Sequence, residues 1–359
     1  MTSPRARRLR WLIPAAVAVA LVVAGGVAWA RSDTRPHAEA GQVFDPAFQQ
    51  DELGTGADVL LPWVRAEIAV GKPRDELPDT LGAEPNLRAP DGGAFVQVQV
   101  NIDTENLIPL YLDSPGPVGR AELVLTDGDH RYPLTHVPGG FHLDAAAPEL
   151  GLLQRYLAVE GSPEHWSVEV DYDGQTWVVD LDDGKSDPGP QDALAEIPAV
   201  DEQQQPAQRC GKPRWSSGFQ PTESYNQPKC RVIHQMRVAY VDGLGWAEPG
   251  REFLVVQVES YEPGFARSPG GVDYLVRDPA MSYRLDGREP LAVAEVNDLG
   301  GPLTLQLPYD PDQVTFDIAA DEPVPDLQIR QSLVGEADEP GVPQAPRIQV
   351  DWRVQLEGV

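Results

Sequence analysis

The segment from residue 166 to 181, WSVEVDYDGQTWVVDL, places acidic side chains close to the pattern of a calcium-binding loop. Its acids and its glycine fall near positions 1, 3, 5, 6 and 12 of an EF-hand. Glutamate at the first position and aspartate at the twelfth are both unfavourable replacements. The acids of this weak calcium candidate are Glu169, Asp171, Asp173 and Asp180.

The same segment has the pattern of a β-hairpin. Asp173-Gly174 lies between two runs of alternating apolar and polar residues, and both residues tolerate the positive φ of a two-residue turn. A strand pair directs alternate carboxylates to one face and does not wrap them around an ion. We therefore expect a hairpin here and assign no metal site.

Three histidines recur at six-residue intervals in the segment DHRYPLTHVPGGFH, next to two aspartates. Imidazole and carboxylate groups are zinc ligands. The spacing of His130, His136 and His142 fits neither one face of a helix nor one face of a strand. We interpret them as loop histidines, with a metal site as the alternative.

The chain contains two cysteines, Cys210 and Cys230. An oxidising compartment outside the membrane favours their pairing as a disulfide. Closing a loop of about 20 residues would stabilise the fold by roughly 3 kcal/mol in the chain-entropy model. A redox role is disfavoured because the sequence has no CxxC spacing.

Catalytic motifs are missing from the sequence. It has no G-x-S-x-G, H-E-x-x-H, phosphate-loop or dinucleotide-binding glycine motif. A carboxylate pair for glycoside hydrolysis would be marked only by its separation in space. We therefore expect that the protein is not an enzyme and binds no cofactor. An envelope hydrolase remains an alternative.

Aromatic residues are frequent in the disulfide loop and in the connecting segments of the second half of the chain. Loops at one end of a β-sandwich are common binding surfaces. Core packing is the alternative role for such residues. The predicted partner contacts are Trp215, Phe219, Tyr225 and Trp246.

The N-terminal region has the pattern of a membrane anchor. Residues 1–10 contain four arginines and no acid, and residues 11–30 are uncharged. Twenty helical residues span about 30 Å, and the arginines orient the N-terminus toward the cytoplasm. We expect a cytoplasmic tail at 1–10 and a single-pass anchor at 11–30. The alternative is a signal peptide cleaved after Ala28-Trp29-Ala30, which would leave the protein secreted.

The charge of the chain is strongly negative. Its formal net charge is −28, and residues 31–359 carry −32 once the four N-terminal arginines are excluded. Such a surface repels the phosphates of nucleic acids, so we expect no nucleic-acid partner. Cationic partners, metal ions and simple solubility remain open explanations of the acidity.

Apolar and polar residues alternate with a period of two in the region after the predicted anchor, which predicts that this region is almost wholly β-sheet. The alternation also predicts that each sheet is covered on one face only. Two stretches rich in Pro, Asp, Glu and Gln interrupt it. We interpret 31–57 as a juxtamembrane stalk and 182–208 as a linker. Two β-domains remain, at 58–181 and 209–359.

The two halves contain an internal repeat. Three blocks match in the same order at offsets of 158, 151 and 148, as expected for two copies of one fold with different loop lengths. The C-terminal segment RIQVDWRVQLEG has no evident counterpart. The matching blocks are 89–100 with 247–258, 121–134 with 272–285, and 162–170 with 310–318.

About seven short strands in each copy argue for an antiparallel immunoglobulin-like sandwich. The order of a glycine turn, an F-x-V-x-V strand, an Asp before Tyr-x-Leu, and a strand such as VTFDI or WSVEV resembles a known family. It is similar to the telokin-like, immunoglobulin-like extracellular domains of Gram-positive bacterial surface proteins, over roughly 63–181 and 232–331. The resemblance implies envelope-facing adhesion, antigen or accessory modules without a shared catalytic site. The lack of a lipoprotein cysteine departs from the family.

The sequence therefore predicts an all-β cell-membrane protein, with two tandem immunoglobulin-like β-sandwiches behind one N-terminal transmembrane helix. The predicted function is a non-catalytic interaction or accessory module of the envelope, with an envelope or membrane protein as partner. A cation-binding or small-ligand-binding envelope protein is the first alternative, and an envelope hydrolase is the second.

Overall fold

A computed structural model describes most of the region after the predicted anchor. The described residues are 35–46, 53–62, 64–77, 80–81, 87–103, 120–143, 151–186, 189–195, 207–222, 228–295, 311–323, 326–337 and 347–356. The predicted tail at 1–10, the predicted anchor at 11–30 and Tyr225 lie outside these residues. Within these ranges, no helix has the length and apolar character needed to span a membrane.

The first half of the chain forms two antiparallel sheets. One has the strand order β2-β3-β5-β8-β1-β4, and the other has the order β10-β9-β6-β7. The strands are β1 (Val43–Pro46), β2 (Leu53–Leu61), β3 (Val64–Gly71), β4 (Thr80–Leu81), β5 (Ala94–Asp103), β6 (Glu122–Thr126), β7 (Arg131–Pro133), β8 (Gly151–Val159), β9 (Ser167–Tyr172) and β10 (Gln175–Asp180).

The second half forms two larger antiparallel sheets, β11-β14-β17-β21-β20 and β12-β23-β22-β19-β18-β13, and a small hairpin, β15-β16. A short helix, α1 (Pro190–Ala195), precedes it. The strands are β11 (Gln208–Arg209), β12 (Arg214–Trp215), β13 (Gln220–Pro221), β14 (Lys229–Val238), β15 (Tyr240–Val241), β16 (Gly245–Trp246), β17 (Arg251–Tyr261), β18 (Phe265–Arg267), β19 (Asp273–Leu285), β20 (Ala292–Glu295), β21 (Asp312–Ala319), β22 (Asp326–Ala337) and β23 (Arg347–Gln355).

Each half has its own hydrophobic core, to which both of its large sheets contribute. Val98 and Val100 of β5 lie in one cluster with Val168 and Val170 of β9, and all four are fully buried. In the second half, a separate cluster draws residues from β17, β21, β22 and β23. The alternation that predicted an all-β fold is confirmed, because every second residue of these strands enters a core.

The outer face of the first sheet is covered as well. Phe95 and Gln97, on the face of β5 opposite its buried valines, are 0% and 1% exposed. Phe44 of β1 contacts Phe95 edge-on, with ring centroids 5.8 Å apart. Sequence alternation had predicted one covered face. The difference arises because Ala38 of the predicted stalk, 31–57, packs on this face together with Ala89 and the partly buried Leu77 and Leu87. Other stalk residues pair into the sheet as β1 and the start of β2.

The beginning of the predicted linker, 182–208, also packs on the first half. Helix α1 places Gln191 in a buried position, where its side-chain oxygen accepts hydrogen bonds from Trp177 Nε1 at 3.2 Å and from the Leu60 amide at 3.1 Å. The Gln191 amide donates to the Asp58 carbonyl at 2.9 Å. Three polar contacts therefore attach this segment to β2 and β10.

The two halves share an order of strand pairing. The run β3-β5-β8 corresponds to β14-β17-β21, and the run β10-β9-β6 corresponds to β23-β22-β19. The first block of the sequence repeat aligns β5 with β17, and these two strands occupy corresponding positions in their sheets. The third block aligns β9 with β21. These two strands do not correspond, because β9 lies in the second sheet of its half and β21 lies in the first sheet of its half.

The second repeat block also has a different register in the structure. It aligns Leu134 with Leu285. Strand pairing instead makes Leu125 of β6 the counterpart of Leu285 of β19. Leu125 pairs with Val168 of β9, Leu285 pairs with Leu327 of β22, and β9 and β22 occupy corresponding positions in their sheets.

The C-terminal strand does have a counterpart, contrary to the sequence interpretation. Strand β23 pairs with β22 as β10 pairs with β9. Both strands carry the pattern W-x-V-x-L, and all six apolar residues of the two copies are buried. The matching pairs are Trp177 with Trp352, Val179 with Val354, and Leu181 with Leu356.

The halves meet at four aromatic side chains, which we call the aromatic joint: Tyr172, Trp177, Tyr240 and Trp246. The β15-β16 hairpin of the second half packs its Tyr240 and Trp246 against the β9-β10 hairpin of the first. Ring centroids lie 5.3 Å apart for Tyr172 and Tyr240, and 5.9 Å apart for Trp177 and Trp246. Trp246 Nε1 donates to the Tyr172 carbonyl at 3.1 Å. The two cores are thereby joined by a packed contact.

Candidate functional site

The predicted aromatic contacts do not form one open surface in the described residues. Trp215 is half-buried and packs against the second core. Phe219 is buried and meets Tyr274 edge-on at 6.0 Å. Trp246 belongs to the aromatic joint, and Tyr225 lies outside the described residues. These three aromatic side chains therefore have packing contacts within the protein, and their contact with a partner stays a prediction.

The acidic hairpin is built around its predicted turn. Asp173 and Gly174 have φ values of +48° and +77°, and they connect paired residues of β9 and β10. Glu169 accepts a hydrogen bond from Arg131 at 2.7 Å, and Asp171 accepts one from the Thr176 hydroxyl at 3.0 Å. Asp180, the fourth acid of the calcium candidate, accepts from the Asp182 amide. In the ranges that the structure describes, no group of three His, Cys, Asp or Glu residues is arranged to hold a metal.

The three histidines of the segment DHRYPLTHVPGGFH do not form a cluster of metal ligands, and one of them forms ion-pair contacts. His130 lies between two carboxylates, with Nδ1 3.1 Å from Asp127 and Nε2 3.1 Å from Glu160. The hydrogen bond to Asp127 raises the pKa of His130. His136 and His142 are exposed.

The predicted disulfide is confirmed. Cys210 and Cys230 are bonded, with their Cα atoms 5.3 Å apart. The Cys210 amide also donates to the Cys230 carbonyl at 3.1 Å, which continues the pairing of β11 with β14. The bond fixes residues 209–213 beside residues 228–231.

A groove of about 830 Å³ lies beside this disulfide. Its lining consists of residues 209–213 and 228–231 together with Tyr261 and Trp352. This lining contains four cationic side chains and no acidic one, although acidic residues outnumber basic ones by 56 to 28 in the chain. We call it the cationic groove. Its volume is in the range typical of ligand pockets.

Three of the four cations are available to a ligand. Arg209, Lys212 and Lys229 are exposed, and none of them forms an ion pair with another described residue. Lys229 Nζ lies 6.0 Å from the ring centroid of Tyr261, a cation–π arrangement that adds an aromatic wall. Within the part of the chain that the structure describes, their charges therefore have no counter-charge in an ion pair.

The fourth cation, Arg231, rests on a buried carboxylate. Its Nε donates to Glu259 Oε2 at 2.7 Å, and Glu259 is 0% exposed. The Tyr261 hydroxyl donates to the same carboxylate. The hydrogen bond to Glu259 raises the pKa of the Arg231 guanidinium. The Arg231 side chain is still 42% exposed, so it is anchored at one side and open to the groove at the other.

The groove combines concentrated positive charge, aromatic surface and a covalent crosslink that restrains its walls. Guanidinium and ammonium groups bind carboxylates and phosphates through charge-assisted hydrogen bonds. The arrangement is therefore suited to binding an anionic group.

Sequence reasoning missed this site, although a signal was present. Basic residues flank both cysteines, in RCGKPR around Cys210 and in KCR around Cys230. Once the cysteines pair, both basic sets must lie together. No protein-family model matches the sequence, and a comparison with curated proteins gives no match.

Proposed function

We propose that the chain is a non-catalytic binding module of the cell envelope, and that the cationic groove binds an acidic segment of a partner protein. The observation that carries the proposal is the composition of the groove, with four cations and no acid in a chain of net charge −28. Local charge of the sign opposite to the rest of a surface directs a complementary partner to one place.

The location outside the membrane is part of this proposal. The arginine-flanked apolar segment at 11–30 supports a single-pass anchor with the exterior region beyond it. The disulfide between Cys210 and Cys230 supports an oxidising compartment.

We further infer that both halves are immunoglobulin-like sandwiches derived from one ancestral fold. Two antiparallel sheets around a shared core in each half support this inference, as does the corresponding order of β3-β5-β8 and β14-β17-β21. Modules of this kind commonly bind partners and leave catalysis to other proteins.

A short acidic peptide segment fits the site better than a nucleic acid does. A long polyanion would extend beyond the groove onto a surface that is negative overall, where repulsion opposes binding. A few carboxylates meet only the cations of the groove. The aromatic ring of Tyr261 and the half-buried disulfide provide apolar contact for the peptide between its charges.

The lysines of the chain permit a matched test. It contains four, of which Lys212 and Lys229 line the groove, while Lys72 and Lys185 lie elsewhere. We expect the full-length protein in detergent to bind a labelled hexaglutamate peptide, measured by fluorescence anisotropy. K212Q/K229Q should weaken binding by about tenfold, whereas K72Q/K185Q should change it less than twofold. Equal losses in both variants, or no binding by the wild type, would overturn the proposal.

A further inference from the structure

The outer face of the second sheet of the second half carries a separate set of arginines. Cross-strand pairing places Arg284 of β19 beside Gln328 of β22, and Gln328 beside Arg353 of β23. These three residues form one row across three adjacent strands. Adjacent strands lie about 4.8 Å apart, so the row brings two guanidinium groups toward one amide.

A second row runs parallel to the first, two residues away along each strand. Ser282 pairs with Arg330, Arg330 with Asp351, and Asp351 with Arg214 of β12. Residues two apart on a strand share a face and lie about 7 Å apart. Both rows line one shallow cavity of about 240 Å³.

The charges of the two rows do not balance. Arg330 is bound by Asp351 through two hydrogen bonds, at 2.7 and 3.2 Å, and Arg284 is bound by Glu289 at 2.8 Å. Arg214 and Arg353 form no ion pair with any residue in the described ranges. As far as the described ranges go, two positive charges of the cavity therefore have no ion-pair partner.

Stabilisation of the sheet does not account for all four arginines. A cross-strand Arg–Asp pair favours strand pairing, which explains Arg330 and Asp351. Arg214 and Arg353 line the same cavity without an ion pair to any described residue, and like charges held close together oppose folding. Charged side chains that lower folding stability and line a cavity are candidates for ligand binding.

We propose that this cavity binds a doubly charged oxyanion group, a phosphate monoester or a sulfate. Guanidinium groups present planar pairs of N–H donors that match such oxygens. The Ser282 hydroxyl and the Gln328 amide add neutral donors. A single carboxylate would leave one of the two free charges unmatched, whereas a dianion neutralises both.

The oxyanion cavity is distinct from the cationic groove. Segment 209–214 runs between them, with residues 209–213 lining the groove and Arg214 lining the cavity, and Trp352 borders both. The two linings have no charged residue in common. The inference is therefore independent of the proposed function, and either can fail alone.

The test uses inorganic phosphate and the intact full-length protein. We expect phosphate titration, followed by the NMR signals of arginine Nε–H groups or by calorimetry, to perturb Arg214 and Arg353. R353Q should weaken phosphate binding about tenfold. R347Q is the matched control, because Arg347 is exposed on the same face of β23 and does not line the cavity. R347Q should leave binding within twofold of the wild type, with both variants folded by circular dichroism.

Further ligands separate the possible sources of the anion. Sulfate and glycerol phosphate, a monoester, should bind as phosphate does, and a phosphodiester with one charge should bind more weakly. Binding by glycerol phosphate but not by free phosphate would assign the site to an ester-linked group. The proposal is overturned if R353Q and R347Q have equal effects, if hexaglutamate perturbs these arginines as strongly as phosphate, or if no arginine signal moves.

Discussion

Arg231 on β14 and Glu259 on β17 are direct cross-strand partners, and the arginine is the charged partner of a fully buried carboxylate. The Arg231 Nε donates to Glu259 at 2.7 Å, and the Tyr261 hydroxyl donates to the same carboxylate. Burial of a carboxylate is costly unless its charge is paired. The cation that faces the groove is therefore also required by the sheet beneath it.

Replacement of Arg231 by methionine should be strongly destabilising. It leaves the Glu259 charge buried without its cation, and we expect the free energy of unfolding to fall by about 3 to 5 kcal/mol. The double variant R231M/E259M should recover most of the loss. Denaturant unfolding of both variants measures this. R209M, at an exposed arginine of the same groove, serves as the control, and a loss as large as that of R231M would contradict the assignment.

Replacement of Trp246 by alanine should loosen the aromatic joint. The variant loses ring contacts with Tyr172, Trp177 and Tyr240, at a cost of about 2 to 4 kcal/mol for a half-buried tryptophan. We expect calorimetry to show separate unfolding transitions for the two halves. W246F keeps an aromatic ring in the joint but loses the hydrogen bond to the Tyr172 carbonyl and part of the indole volume, so it should cost less than W246A, about 1 to 2 kcal/mol. A single unchanged transition in W246A would refute a stabilising role of the joint.

The secondary structure of the two halves could be predicted where apolar alternation is strong. Val98 and Val100 alternate with polar residues, and Asp173-Gly174 is a sufficient turn signal for its hairpin. Strands β1 and β2 were missed, because short strands with polar residues and glycines lack a clear alternation. The W-x-V-x-L pattern of β10 and β23 was present in the sequence and would have found the correct repeat register.

Acidification should strengthen the joint through Asp242, in the turn between β15 and β16. Burial and the charge of Asp173 raise the pKa of Asp242. The folded state then binds a proton more tightly than the unfolded chain does. The contribution to stability is fully present below the unfolded pKa and is lost as pH rises through the folded value.

The variant D242N should therefore melt at a higher temperature than the wild type at neutral pH. The difference should shrink as pH falls, because the raised pKa lets the wild-type Asp242 carboxyl take up its proton before an ordinary aspartate does. Thermal melting at several pH values measures it. A constant difference between the two proteins over this range would refute the linkage.

His234 should have the opposite effect on acid stability. Burial lowers its pKa, and its Nε2 atom has no hydrogen-bond partner among the described residues. The folded state then binds a proton less tightly than the unfolded chain, so stability is lost as pH falls below the ordinary histidine pKa of about 6.5. H234N should flatten the loss of stability between pH 7 and 5. H142N, at an exposed histidine, should retain the wild-type slope, and a similar flattening there would count against the assignment.

The disulfide should contribute both to stability and to the groove. The bond joins residues 20 positions apart, and its removal in C210S/C230S should cost about 3 kcal/mol in the chain-entropy model. Because the bond fixes the two basic segments side by side, hexaglutamate binding should weaken as well. Denaturation and anisotropy on one preparation measure both effects. Unchanged peptide affinity in a folded variant would show that the crosslink is not needed to shape the groove.

The candidate site was less predictable than the fold, for a physical reason. Its cations come from two segments that strand pairing and the disulfide bring together, and Glu259 neutralises one of them from below. The negative net charge of the chain predicts that anions are repelled on average. It gives no indication that the charge is locally positive at the cationic groove. The oxyanion cavity that Arg353 lines depends on the pairing register of the four strands β12, β23, β22 and β19. Apolar alternation alone does not define that register.

The aromatic joint has a mechanical consequence for a protein tethered at one end. In the residues that the structure describes, the halves meet through the edge-to-face rings of β9-β10 and β15-β16, and the chain that follows α1 also links them. Tension applied between a membrane attachment and a partner held at the far half would first have to separate those rings. The joint would therefore resist lengthening of the protein until those ring contacts separate.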